Sequence, residues 1–436
     1  MQLRAQHMRQ TPLLFLVALI STSFSFAEET KQQKSSNEAE TKTGQTSYEA
    51  LSKRVRALEK KLRSNQGNPV YTKPTWRWQT RFGGRLFTDF VLPSADNELE
   101  TAVGNFESKS EVRKARFFVT GAARGGMKFK FELDFAQGDV DLTDTYISLP
   151  FRRSPATVHI GRMKEPFGLE NASSSNNILM MERAMVNRSL VPFRNTGIMI
   201  INRRKPNGQL NWWTGYFKNT NSYGIEDDKG GQNWTTRVTW QPRHENGGRQ
   251  LTHFGFNFSH HQPENSQLNI EAKSGSNLIP VLGETGVMAV EHANIVGFEG
   301  AWQKGAWTFI TEGAQSLVSL ENGQEAKFRG FYATVGWFIT GEHTRFKWPI
   351  SSFSTVRPKK EFYYGRGGAW QVVLRYQTLD LNSEGEGING GDVDEWGLGV
   401  NYFLHKNARI MLNYLRPEVD DVGKGKVWQM RFQYDF

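Results

Sequence analysis

The sequence has no cysteine among its 436 residues. That excludes zinc–thiolate and iron–sulfur centres and any thiol nucleophile, while leaving the compartment open. Long apolar runs are missing too. Only 38% of the chain is hydrophobic and its mean hydropathy is −0.57. A helical membrane protein needs repeated apolar stretches of about 20 residues and is excluded. A membrane β-barrel is not, because only alternate residues of its strands face lipid. Catalytic signatures are equally scarce: neither HExxH nor GxxxxGK[ST] occurs. The nine histidines are scattered, with His260–His261 the one adjacent pair. A Ser–His–Asp hydrolase set in a barrel wall lacks any local nucleophile signature. No enzyme activity, cofactor, metal or nucleic-acid partner is expected.

The chain does contain Gly 42, Phe 30, Trp 13 and Tyr 12, with a formal net charge of +10. It begins with Arg4 and Arg9, a short apolar core over 12–20 and a small residue at Ala27. This layout predicts a secretory signal peptide over 1–27, cleaved after Ala27. The core is too short for a membrane anchor. Removing Arg4 and Arg9 leaves a basic exported chain of charge +8 (10 − 2). Residues 28–47 are polar and predict a disordered spacer. In 48–64, Tyr48, Leu51, Val55, Leu58 and Leu62 recur at spacings of 3, 4, 3 and 4. That seam predicts a short coiled-coil helix, which needs chains already held together because two heptads are too few alone. The alternative is a lone amphipathic helix on a barrel or membrane surface. Residues 65–75, with Gly67, Pro69 and Pro74, read as a linker.

From Trp76 the period changes to two. Phe82, Leu86 and Phe90 alternate with Arg81, Arg85 and Asp89; Phe129, Phe131 and Leu133 with Lys128, Lys130 and Glu132; Trp234 and Trp240 with Arg237. Trp370, Leu374 and Tyr376 alternate with Gln371 and Arg375, and Trp396, Leu398, Val400 and Tyr402 continue the pattern. Aromatics at the ends of the apolar stripes suit interfacial girdles, and short turns alternate roughly with long polar loops. The last segment, VWQMRFQYDF, places Trp428, Met430, Phe432, Tyr434 and Phe436 on one face. A final strand that closes a barrel against the first has to present such a face to lipid. The fold class expected is all-β: a transmembrane antiparallel β-barrel over 76–436. At about 20–23 residues per strand and turn it has roughly 16 strands.

On the lumenal parity the strands offer Arg77, Arg81 and Arg85, then Lys128 and Lys130, with Arg237, Arg375 and Arg431 singly. Lys114 and Arg116 share a parity with Val112 and Phe118, so their direction stays open. Rings of Arg or Lys are the expected device for anion or phosphate pores, and guanidinium groups bind such oxygens in bidentate fashion. Asp89, Glu132 and Asp134 share the same parity, however, and some basic loop residues could instead meet lipopolysaccharide phosphates.

Several stretches resemble the phosphate-selective porin O and P family. They are GRMKEPFGLENASSSNNILMMERAM (161–185), GWFITGEHTRF (336–346), GGAWQVVLRYQTLDLN (367–382) and WGLGVNYFLHKNARIMLNY (396–414), in the family's order. The resemblance implies a sixteen-stranded, trimeric channel for anions in the bacterial outer membrane. The terminal Phe436 likewise resembles the signature by which such barrels are recognised for insertion. The family's counterpart of 165–197 folds into the pore and narrows it. Carried over, it offers Lys164, Arg183, Arg188 and Arg194 as constriction cations and Ser173, Ser174 and Ser175 as hydrogen-bond donors. The alternative is an external loop with basic decoration. One departure stands out: phosphate-specific members place a lysine after the serine pair, where this chain has Asn176 and Asn177.

The function expected is passive diffusion of small anions such as phosphate or polyphosphate through a basic constriction. The chain would be a homotrimer in contact with the lipid bilayer and lipopolysaccharide. Two alternatives remain at this point. Phe87, Trp213 and Phe217 would form a stacking track in a general or saccharide-preferring porin. Long loops over 221–232 and 262–291 would serve a structural or adhesion barrel.

Overall fold

The computed structural model describes Lys53 and residues 79–436, apart from 152–153, 203–209, 227–229 and 364. The expected signal peptide, spacer and linker, the candidate Arg77 and all of the coiled-coil segment but Lys53 lie outside the described residues. Sixteen antiparallel strands form the wall: β1 Gln79–Ala95, β2 Lys109–Ala122, β3 Lys128–Asp134, β4 Thr145–Pro150, β5 Ala156–Lys164, β6 Arg194–Asn202, β7 Leu210–Lys218, β8 Gln232–Glu245, β9 Gln250–Gln262, β10 Met288–Lys304, β11 Trp307–Leu320, β12 Glu325–Phe338, β13 Ala369–Ser383, β14 Ile388–His405, β15 Ala408–Val419 and β16 Gly423–Asp435. Each pairs with the next, and β16 pairs with β1 in a register that sets Arg85 opposite Asp435 and Val91 opposite Gln429. The sheet is therefore closed, with no unpaired edge left to hydrocarbon.

The alternation decides which face is greasy. Phe254, Phe256 and Phe258 point outward, as do Trp428, Phe432 and Phe436, which are 51%, 44% and 58% exposed. Such a surface is unfavourable in water and at home in lipid. Paired aromatics mark both rims: Trp370 on Tyr402 (4.2 Å) and Trp307 on Trp337 (5.3 Å) near one end, Tyr376 on Trp396 (4.8 Å) and Tyr414 on Trp428 (4.7 Å) nearer the other. Girdles of this kind flank the apolar band of outer-membrane barrels. Among the described residues no helix is long and apolar enough to cross a membrane.

One irregularity redirects charge. The β1–β2 ladder passes from Phe87↔Lys114 to Thr88↔Val112, so Arg113 is an extra residue. A bulge of this type shifts parity along a strand. Val112 thus faces outward at 46% exposure while Lys114 and Arg116 face the lumen.

Three segments enter the lumen. Residues 165–193, carrying short helices Leu169–Ala172 and Met185–Ser189, and residues 263–287 enter from one end. Residues 339–368 enter from the end that carries Gln79 and Asp435, here called the terminal end. Insert residues Phe167, Leu179, Met180, Met185, Val186 and Ile270 pack against Val318, Phe328, Leu379 and Val393 of β11–β14. That half of the lumen is filled by apolar side chains, and open space remains along β1–β8.

Candidate functional site

The open space is a cavity of about 490 Å³. Its lining includes Arg85, Arg113, Lys114, Arg116, Lys130, Lys164, Arg183, Arg194, Arg237 and Lys347, ten cations, against three carboxylates, Glu132, Asp144 and Glu165. Ser174, Ser175 and Asn177 line it as well.

Part of this charge is neutralised within the wall. Arg85 reaches Glu132 at 3.2 Å and donates to the hydroxyls of Ser174 and Ser175 at 3.3 Å each. Arg116 bonds Asp134 at 2.6 Å and Glu132 at 3.3 Å. Lys130 and Arg194 share Asp144, at 2.6 and 2.8 Å. Against the upward push of burial, Arg194, Lys130 and Lys164 hold the Asp144 carboxyl well below the usual range.

A second group has no such partner. Among the described residues no carboxylate lies within 4 Å of Lys114, Lys164, Arg183 or Lys347. Lys164 Nζ donates to the carbonyls of Asn171 (2.7 Å) and Ser173 (3.0 Å), and Arg183 to those of Glu170 (3.2 Å) and Ser173 (3.0 Å). Lys164, Arg183 and Arg194 also converge on the Phe193 ring, at 5.5, 5.2 and 4.6 Å from its centroid. Carbonyl dipoles and a π face offset part of their charge without cancelling it. Burial lowers the Arg183 guanidinium to about 10, which leaves it charged at neutral pH. Chemically the arrangement can attract an anion and exchange part of its hydration for N–H and O–H donors.

The remaining candidates lie elsewhere. Arg188 is turned to Ser274 O, Ser276 O (3.0 Å) and Asn277, and so ties one insert to another. Arg375 bonds Glu170, Thr334 and Glu182 O. Arg431 bonds Asp89, Glu182 and Met181 O. Arg375 and Arg431 are buried clamps of the inserts and Arg188 a half-buried one, all three outside the cavity lining. Arg237 reaches the cavity edge but is bound to Glu299 at 2.8 Å and to Ser351 O. Arg81 and Lys128 are exposed at the terminal end; after burial itself, Arg345 and Arg81 push the Lys347 ammonium below its ordinary value. Ser173 is buried, donating to Leu169 O and accepting from Phe353 N–H (3.2 Å), whereas Ser174 and Ser175 face the cavity. Asn177 lines the cavity and Asn176 O accepts from Gln433. Cations therefore reach this serine run from Lys164 and Arg183 instead of from a following lysine.

Three alternative readings are set aside. Phe87 and Phe217 are 0% exposed and Trp213 6%. Lys114 and Arg431 lie over Phe87, and Arg237 over Trp213, so these three form no bare aromatic track. The segment 165–193 is an internal insert, not an external loop. Most of the presumed outer loop 262–291 also turns inward, with Ile270, Ala272, Ser274 and Leu282 buried. Sequence reasoning missed Arg113, whose inward direction depends on the bulge, and Lys347, which sits in a segment with no strand period.

The profile of the phosphate-selective porin O and P family matches residues 81–436. Porin O of Pseudomonas aeruginosa is 22% identical over 400 residues, covering 82% of this chain and 88% of that protein. An uncharacterised protein of Caulobacter vibrioides is 25% identical over 376 residues, covering 79% of this chain and 71% of its own. An anion-selective porin from Comamonas acidovorans has the same fold at 13% identity, with a TM-score of 0.56 over 83% of this chain and all of that one. The channel DcaP of Acinetobacter baumannii gives a TM-score of 0.51 at 10% identity, over 82% of this chain and 97% of its own. Closed wall, lipid-facing stripe and whole-barrel profile match agree: this chain belongs to the phosphate-selective porin O and P family, a porin of the bacterial outer membrane.

Proposed function

We propose that the chain is a passive channel for small anions, phosphate and polyphosphate among them, with the cavity along β1–β8 as its path. The observation that carries this reading is the excess of ten lining cations over three carboxylates, with Lys114, Lys164 and Arg183 free of any carboxylate within 4 Å. A solute would move down its gradient, losing part of its hydration to Arg85, Lys164, Arg183, Ser174 and Ser175. Binding there has to be strong enough for entry and weak enough for release. No bond is made or broken. Short turns of outer-membrane barrels face the periplasm, so the terminal end is assigned to that side. In this orientation 165–193 descends from outside and 339–368 rises from the periplasm. A trimer is also proposed; one solved OmpT of Vibrio cholerae with this fold is a trimer form.

The test is a planar-bilayer recording in a potassium chloride gradient. The reversal potential should take the sign of an anion channel, and millimolar phosphate or pyrophosphate should block chloride current more than maltodextrins do. Cation selectivity, or block by maltodextrin alone, would refute the reading.

A further inference from the structure

Before it rejoins the wall, the periplasmic insert leaves the lumen and folds over the outside of the rim. Val356 is buried, but Arg357, Lys359, Lys360, Phe362, Tyr363 and Arg366 are exposed. The outer position is fixed by several contacts. Phe362 N–H donates to Leu404 O at 2.8 Å, and the Tyr402 hydroxyl donates to Gly367 O at 3.0 Å. Tyr363 and Arg366 close a turn, Tyr363 N–H donating to Arg366 O at 2.8 Å. The Phe362 ring stands edge-on to Tyr402, centroids 6.2 Å apart at 87°, and Tyr402 itself stacks on Trp370 in the lipid-facing girdle. The turn therefore extends the aromatic belt beyond the strand ends, with Tyr363 71% exposed at its tip.

Its charge is one-sided. Lys360 and Arg366 flank the two rings along the chain, both exposed, Lys359 donates to Thr340 O at 2.8 Å, and the exposed Lys406 follows His405 on the adjoining β14–β15 turn. Glu361, 2.9 Å from His405 Nε2, is one acid against the exposed Arg357, Lys359, Lys360, Arg366 and Lys406. Exposed aromatics next to cations that, among the described residues, have no carboxylate within 4 Å match a membrane–water interface, where rings sit among headgroups and basic groups meet their phosphates.

We propose that residues 357–363 and 365–368 form a lipid-binding foot that seats anionic phospholipid headgroups in the leaflet at the terminal end, the periplasmic leaflet in the orientation given above. Phe362 and Tyr363 enter the interfacial layer, and Lys360, Arg366 and Lys406 contact the phosphates. The foot plays no part in lining the permeation cavity, so it stands or falls separately from the anion reading.

The experiment measures lipid retention by the full-length protein in detergent, using native mass spectrometry with phosphatidylglycerol and phosphatidylcholine. The expected result is a preference of at least tenfold for phosphatidylglycerol that weakens with salt. Lys360→Glu with Arg366→Glu should remove most of it, since each basic group near a membrane surface is worth about fivefold. The reversal potential in a salt gradient should stay unchanged. Equal retention of the two lipids by the native protein overturns the proposal. So does a double variant that keeps the preference, which would place binding on other basic surfaces. If the charge reversals prevent folding, Lys360→Gln with Arg366→Gln carries the same test.

Discussion

Arg431 offers the sharpest test of how the lumen is held together. Its side chain is 1% exposed and donates to both oxygens of Asp89, at 2.7 and 2.6 Å, to Glu182 at 2.6 Å, and to Met181 O. Asp89 and Glu182 are 3% and 5% exposed. Replacing Arg431 by Met keeps the volume and removes the charge. Glu182 retains Arg113, at 3.0 and 3.2 Å, but Asp89 loses the ion pair that compensates it. Leaving one member of a buried pair alone costs about 3–5 kcal/mol, whereas replacing both members by apolar groups is often neutral. Arg431→Met should therefore lower unfolding stability by about that amount in urea–detergent titration, and Arg431→Met with Asp89→Leu should recover most of it. With its tie to the insert loosened, single-channel conductance should rise in the single variant. A loss under about 1 kcal/mol, or no recovery in the double variant, refutes the assignment of Arg431 as a clamp.

Three further outcomes are expected. A single charge about 6 Å from a passing anion in a water-like medium is worth about 0.7 kcal/mol, or roughly threefold in permeability ratio. Arg183→Ala should shift the reversal potential by that order, and Arg81→Ala at the terminal mouth by clearly less. The Glu182 carboxyl, despite burial, is held well below its usual range by Arg113, Arg431 and Arg188, and Asp144 is held low by its own cations. Their stabilisation is present above the ordinary carboxylate pKa of about 4 and is lost as pH falls through the depressed values. Thermal stability should thus decline only below about pH 4, and a loss centred between pH 5 and 7 would contradict the pairing. Ser173→Ala removes the acceptor of Phe353 N–H where the inserts 165–193 and 339–368 meet. It should cost about 1–3 kcal/mol and raise open-channel noise in bilayer recordings.

Period-two alternation made the wall legible, because one face must meet lipid along every strand. The final stripe from Trp428 to Phe436 alone announced closure. Charge inside was only half legible. Arg85 and Arg431 share the lumenal parity, yet one reaches the cavity and the other is sealed between Asp89 and Glu182. That difference depends on where 165–193 comes to rest, which alternation does not encode. Lys114 was hidden for another reason: a single inserted residue, Arg113, reverses parity midway along β2. The insert 339–368 carries Pro349 and Pro358 with glycines near both ends, and so reads as an ordinary connection until its contacts with Ser173, Thr239 and Arg237 are seen.

Arg431 stands on the last strand, Asp89 on the first and Glu182 on the internal insert. The same guanidinium thus rivets the seam of the cylinder and the segment folded inside it. This three-way tie is complete only when the last strand has met the first, so closure of the wall and full seating of 165–193 are linked at one side chain.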